Sequence, residues 1–153
     1  EQRGLQLFEN EGRCAACHSL NVEPGAKGPY WTFLHDWNET LGLINDVKSD
    51  SLKAVLDLYY WGLDEATMAR LPELAPKLAL VQLADAREAP QIEPNRCPLG
   101  SGNLPLHGIV EKLTAAGYYG FFEVELMGAE IEASNYRDLL RQSLEFFDKL
   151  AAS

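Results

Sequence analysis

The chain has 153 residues, 46% apolar and 24% charged, the balance of one globular domain long enough to bury a core, which excludes wholesale disorder. Lys and Arg number 13 against 23 Asp and Glu, and the formal charge of −10 argues against nucleic acid or an anionic membrane as a partner, since both need a basic surface. No apolar run approaches the length of a membrane span, and the polar, amphipathic opening EQRGLQLFENEG is unlike a signal peptide, although a mature end whose leader has been removed would look the same.

In chain order, a helix is expected over Gln2–Asn10, with Leu5 and Phe8 on one side. A strand Ser19–Glu23 and a loop Pro24–Pro29 follow. Asp36–Val47 reads as an amphipathic helix with Asp36 as its N-cap and Trp37, Leu41 and Ile44 at helical spacing. The second strand is Leu52–Asp57. Gly62 and Asp64 open a helix running to about Leu74, ended by Pro76. The third strand is Leu78–Gln82. Asp85–Pro105 is then a long loop rich in Pro, Gly and Asn, of a length that is usually functional or disordered. Leu106–Ala116 is a helix with Gly117 as its C′ residue. The fourth strand, Tyr119–Leu126, leads to a last helix, Asn135–Ala151, with Leu139, Leu140, Leu144, Phe147 and Leu150 on its buried stripe. Short apolar strands that are buried on both faces and alternate with helices make an α/β fold with a parallel sheet of four βα units, preceded by a helix.

Four short apolar runs, Ser19–Glu23, Leu52–Asp57, Leu78–Gln82 and Phe121–Glu125, each end on a residue able to hold a divalent ion. Side chains at the carboxyl ends of parallel strands converge on one face, where such folds place their chemistry. Counting back by twos puts Asn21 and Ser19 on the side of Glu23, and Glu123 and Phe121 on the side of Glu125. Carboxylates with an amide oxygen suit Mg²⁺ or Mn²⁺; Zn²⁺ more often takes nitrogen or sulfur. A cation so held polarises a carbonyl and its neighbouring hydroxyl while a carboxylate moves a proton between carbons, which is the chemistry of isomerisation or epimerisation. Trp31 and Trp61, in loops on that side, are candidates to wall a sugar by stacking.

The motifs LNVEP, WTFLHDWNETL, LKAVLDLYYWG, LALVQLADAR, PLGSGNLPLHGIV and AAGYYGFFEVEL, in this order and spacing, resemble the second half of the xylose-isomerase-like barrel of the sugar phosphate isomerase/epimerase superfamily. The resemblance implies half of a TIM (β/α)8 barrel over residues 19–153, preceded by an N-terminal segment 1–18. It implies that Glu23, Asp57, Gln82 and Glu125 ligate the metal, that Glu23 and Glu125 also form the acid/base pair, and that Arg87 binds substrate oxygens. The substrate implied is a small carbohydrate. Many members carry His at the position of Gln82, and hydroxypyruvate-isomerase-like members use Gln. Tyr60 stands where relatives usually carry a histidine near the substrate. A complete barrel needs eight strands and about 250 residues. Half of one leaves two sheet edges and a face bare, so a second copy or a complementing half-barrel is the expected partner.

A second motif competes. Cys14-Ala15-Ala16-Cys17-His18 is a C-x-x-C-H, the attachment signature of c-type haem, with His18 as the axial ligand. GLQLFENEGRCAACHSL followed by KGP resembles the opening of a class I cytochrome c over about the first thirty residues. On this reading the chain is a haem c electron carrier and periplasmic. On the isomerase reading it is cytoplasmic, and the cysteines, an odd number, stay reduced. A non-catalytic barrel fragment is the third alternative.

Overall fold

The computed structural model describes residue 34 and residues 36–90 and 95–151. It falls into two units, Glu1–Ser49 and Asp50–Ser153. The described part of the first unit is essentially one helix, α1 (Trp37–Val47), as its periodicity predicts. The Asp36 carboxylate accepts from the backbone N–H groups of Asn38 and Glu39 at 2.7 and 2.9 Å, satisfying donors the first turn leaves open. Trp37, Leu41 and Ile44 are its buried positions.

The second unit begins with β1 (Ala54–Asp57) and then α2 (Leu58–Trp61), α3 (Glu65–Ala69), α4 (Leu71–Leu74) and a 3-10 turn at Ala75–Lys77. The single helix expected over 62–74 is thus broken. The Asp64 carboxylate caps Thr67 at 2.7 Å and starts α3, while Pro72 lacks an N–H and fits only the first turn of a new helix, α4. β2 (Leu78–Leu83) follows, then β3 (Asp85–Ala86) and β4 (Arg96–Cys97), α5 (Leu106–Ala115), β5 (Phe121–Val124), α6 (Ala129–Glu132) and α7 (Tyr136–Ala151). Gly117 ends α5 at φ 81, a left-handed conformation that favours glycine.

β1, β2 and β5 form a parallel sheet in that order. Asp57 stands opposite Gln82, and Gln82 opposite Glu123, so the strand ends are level. A bulge between Ala54 and Val55 leaves Ala79 without a partner on β1. The strand expected at Ser19–Glu23 lies outside the described residues, and those described form no closed barrel. β3 and β4 make an antiparallel ribbon inside the long loop, so part of that loop is ordered structure.

The core lies on one side of the sheet. Leu56, Val81 and Leu83 are fully buried, as are Leu58, Leu71, Leu74 and Leu113 from the helices. The other side is open, with Val55 49% and Phe121 80% exposed. Burial on both faces was the expectation. In a closed barrel the inner face is filled by side chains from strands across the lumen, and three strands cannot supply them.

α7 also differs from its expected stripe. Leu139, Ser143 and Phe146 are its buried positions, whereas Leu140 and Leu144 are each 67% exposed. Positions 139, 143 and 146 recur at helical spacing and make one inward arc, and Leu140 and Leu144 sit on its shoulder. That shoulder, with Val124, Leu126, Ile131 and Tyr136, lines an apolar groove of about 390 Å³. No helix among the described residues is long and apolar enough to cross a membrane.

Candidate functional site

The site is built at the carboxyl ends of the three parallel strands. Asp57 closes β1, Gln82 lies level with it on β2, and Glu125 follows β5, its N–H held by Leu83 O at 3.0 Å. The side chain that joins them is Arg96, on β4. Its Nη2 donates to Asp57 Oδ2 at 3.0 Å, and its Nη1 donates to Glu125 Oε2 at 2.6 Å and to the Glu125 carbonyl at 2.9 Å. The guanidinium carbon lies 4.6 Å from the centre of the Tyr59 ring, a cation–π contact. The Arg96 side chain is 1% exposed, against 15% for Asp57 and 30% for Glu125. Its buried Nε has no hydrogen-bond partner among the described residues.

Local structure accounts for this arrangement. Tyr59 donates its hydroxyl to Asn95 Oδ1 at 2.5 Å and accepts from Asn95 N at 3.2 Å, which fixes the aromatic face beside β4. Asn95 also bridges to Gly128 beyond β5. The ribbon that carries Arg96 is held by Asp85, itself 1% exposed. Asp85 Oδ1 accepts from Ala86 N and Leu104 N, and Oδ2 from Gly100 N and Gly102 N, at 2.9 to 3.2 Å. One buried carboxylate thereby folds the loop over the strand ends.

Burial is the largest influence on Asp57 and raises its pKa; the Arg96 charge and the Tyr59 N–H oppose it. For Arg96, burial alone would lower the pKa, but the charges of Asp57 and Glu125 outweigh it and the net direction is up. Tyr60 lies within the same field. Burial first, and then the Asp57 charge, raise its pKa, so the phenol stays protonated.

Asp57, Gln82, Glu125 and Tyr60 are therefore gathered at one mouth. Arg87 is directed elsewhere: its guanidinium makes a bidentate pair with Glu130, the Nη2–Oε1 arm at 2.9 Å, and both side chains are about half exposed. Trp61 ends α2, half-buried. Glu23, Trp31, Cys14, Cys17 and His18 lie outside the described residues. Sequence reasoning places Arg96 near the site with Lys27 and Arg87, but not its burial between two carboxylates, because nothing in a polar loop marks one arginine for burial.

Among the described residues no group of three or more His, Cys, Asp and Glu side chains is placed to hold a metal. The strand-end donors are two carboxylates and one amide, and their chemistry fits a hard or borderline cation. Glu125 Oε1 and Gln82 Oε1 accept no hydrogen bond among the described residues, since Gln82 turns its Nε2 to Glu123 at 3.3 Å. Asp57 Oδ1 accepts from Tyr59 N at 2.9 Å and keeps a lone pair.

Comparison with known proteins bears on the fold. The chain is similar to a xylose isomerase domain protein from Alicyclobacillus acidocaldarius, at 23% identity and a TM-score of 0.66 over 80% of this chain and 45% of that one. It is similar to the IOLI protein solved with a bound zinc atom, at 17% identity and a TM-score of 0.64 over 74% and 42% of the two chains. A xylose isomerase domain protein from Planctomyces limnophilus matches at 19% identity and a TM-score of 0.58, over 74% and 42%. The chain thus spans less than half the length of these solved structures. No curated protein matches it. A family model described as a xylose isomerase-like TIM barrel covers residues 13–150, and the chain belongs to that family.

Proposed function

We propose that the strand-end cluster is the cation and proton-transfer site of a sugar isomerase or epimerase acting on a small hydroxy-carbonyl compound. The observation that carries this reading is the convergence of Asp57 and Glu125 on one guanidinium, with Gln82 on the strand between them. Asp57, Gln82 and Glu125 would hold a divalent metal, with Glu23 as the fourth donor. When bound, the metal supplies polarisation of the substrate carbonyl and its neighbouring hydroxyl. The zinc atom of the IOLI structure belongs to that protein and makes zinc a reasonable first ion to try here.

The chain's own residues do the rest. Glu125 and Glu23 act as the acid/base pair: one carboxylate takes the proton from the carbon beside the carbonyl, and a carboxylic acid returns it. Return to the adjacent carbon isomerises the substrate, and return to the opposite face of the same carbon epimerises it. Tyr60, protonated, donates a hydrogen bond to a sugar hydroxyl. Trp31 and Trp61 give the ring an apolar wall. Further strands, from a second copy or a complementing half-barrel, cover the open sheet face at Val55 and Phe121 and complete the pocket.

The test is deuterium uptake. Aldoses and ketoses are incubated with the protein and Mn²⁺ in D₂O, and the carbon beside the carbonyl is followed by NMR. The wild type exchanges that position, and Glu125→Gln loses the activity by about 10²-fold or more. Equal exchange in the two proteins, or none in the wild type, removes the reading.

A further inference from the structure

The order of strands puts β2 between β1 and β5, so Asp57 and Glu125 lie on either side of Gln82. Arg96 reaches across that middle strand and holds both carboxylates at once, Nη2 on Asp57 Oδ2 at 3.0 Å and Nη1 on Glu125 Oε2 at 2.6 Å. Each carboxylate gives the guanidinium one oxygen. The oxygens left over are Glu125 Oε1 and Asp57 Oδ1, the latter engaged only by Tyr59 N. We infer that Arg96 is a positioning residue for the cation site: its fork fixes Asp57 and Glu125 so that each presents its second oxygen, singly, to one divalent ion beside Gln82. The inference rests on the cation-binding reading proposed above.

Three features make Arg96 a fixed strut rather than a mobile counter-ion. Its side chain is 1% exposed. A third bond, to the Glu125 carbonyl at 2.9 Å, ties the same Nη1 to the backbone of one of the ligands it would orient. The Tyr59 face covers the guanidinium at 4.6 Å, and Tyr59 is itself pinned by Asn95. Only a planar fork satisfies two carboxylates on different strands while lying against a ring. A lysine ammonium brings the charge without that geometry.

The experiment measures Zn²⁺ affinity by calorimetric titration against a competing chelator, on the 153-residue chain and on Arg96→Gln and Arg96→Lys. Loss of an orienting partner lowers metal affinity by about 10–100-fold, and that is the result expected for both variants with their circular dichroism unchanged. Lysine fails with glutamine because the fork, not the charge, is what the site uses. Equal or tighter binding by folded Arg96→Gln overturns the inference, tighter binding meaning that the guanidinium competes with the ion. A wild type that binds no zinc removes the cation reading itself, and this inference with it. Wild-type binding matched by Arg96→Gln leaves the cation reading standing and removes only the role of Arg96. Should the variants fail to fold, ¹⁵N NMR of the wild-type guanidinium decides the matter. Side-chain signals resolved and protected from solvent both before and after zinc saturation support the strut, and their loss on zinc addition refutes it.

Discussion

Replacing Asp85 by alanine leaves four backbone amides without their acceptor. Two belong to the glycines of the loop, Gly100 and Gly102, one to Leu104 and one to the neighbouring Ala86. Each bond to the buried charge contributes about 1.5–3 kcal/mol, and a buried amide left unmade costs about 1–3 kcal/mol. Those figures cannot simply be added. The loop opens and rehydrates its amides once the penalty exceeds the cost of opening, which caps the loss at about 3–5 kcal/mol. Asp85→Asn keeps the shape but turns an NH₂ toward one pair of N–H donors, so it falls between alanine and wild type. Gly102→Ala attacks the same joint from the other side, because its Cβ would lie 2.0 Å from Asp85 Oδ1. Urea unfolding measures all three. With a slope of about 2 kcal/mol per molar, the alanine variant shifts the midpoint down by about 2 M. A shift corresponding to less than about 0.5 kcal/mol would refute the reasoning, since that is the range of an ordinary surface change.

Two further outcomes follow from burial. Leu139→Ala is expected to cost about 2–4 kcal/mol and Leu144→Ala about 0.5 kcal/mol or less, because the first side chain is 7% and the second 67% exposed. Equal losses in urea would restore the stripe expected from sequence. Tyr118 is buried, donates its hydroxyl to Phe121 O at 2.7 Å, and has its pKa raised by burial. An acid with a raised folded-state pKa stabilises the fold up to its unfolded pKa, near about 10, and loses that contribution as pH rises further. The stability gap between wild type and Tyr118→Phe, about 1 kcal/mol at neutral pH, should therefore narrow above that point. Parallel pH profiles would count against it.

Local signals carried most of the fold. Asp36 capped its helix as read, because an N-cap is settled within three residues. β1 and β5 fall inside the apolar runs that suggested them, β2 runs one residue past its own to Leu83, and Gly117 takes the left-handed conformation its place after a helix implies. The break at Pro72 was visible in principle, since a proline inside a helical pattern opens a new helix or ends one. Arg96 could be placed near the site, but its bridging role was not visible. Its partners lie 39 and 29 residues away, and a charged side chain in a polar loop gives no local hint that two distant carboxylates will bury it. The exposed shoulder of α7 was hidden for a similar reason: periodicity marks which residues are apolar, and the neighbouring elements decide how many of them are covered. Of the four strand-end residues expected to converge, the three that lie among the described residues stand at one mouth of the sheet.

Asp57 is the last residue of β1, the N-cap of α2 through Tyr59 N, and the anchor of Arg96. One carboxylate therefore carries two structural duties, with a separate oxygen for each: Oδ1 caps the helix and Oδ2 holds the guanidinium. Whatever moves the guanidinium on one oxygen is felt at the start of the helix through the other, so the seating of Arg96 and the firmness of that first turn are linked variables. Selection acting on either trait at this position necessarily drags the second along.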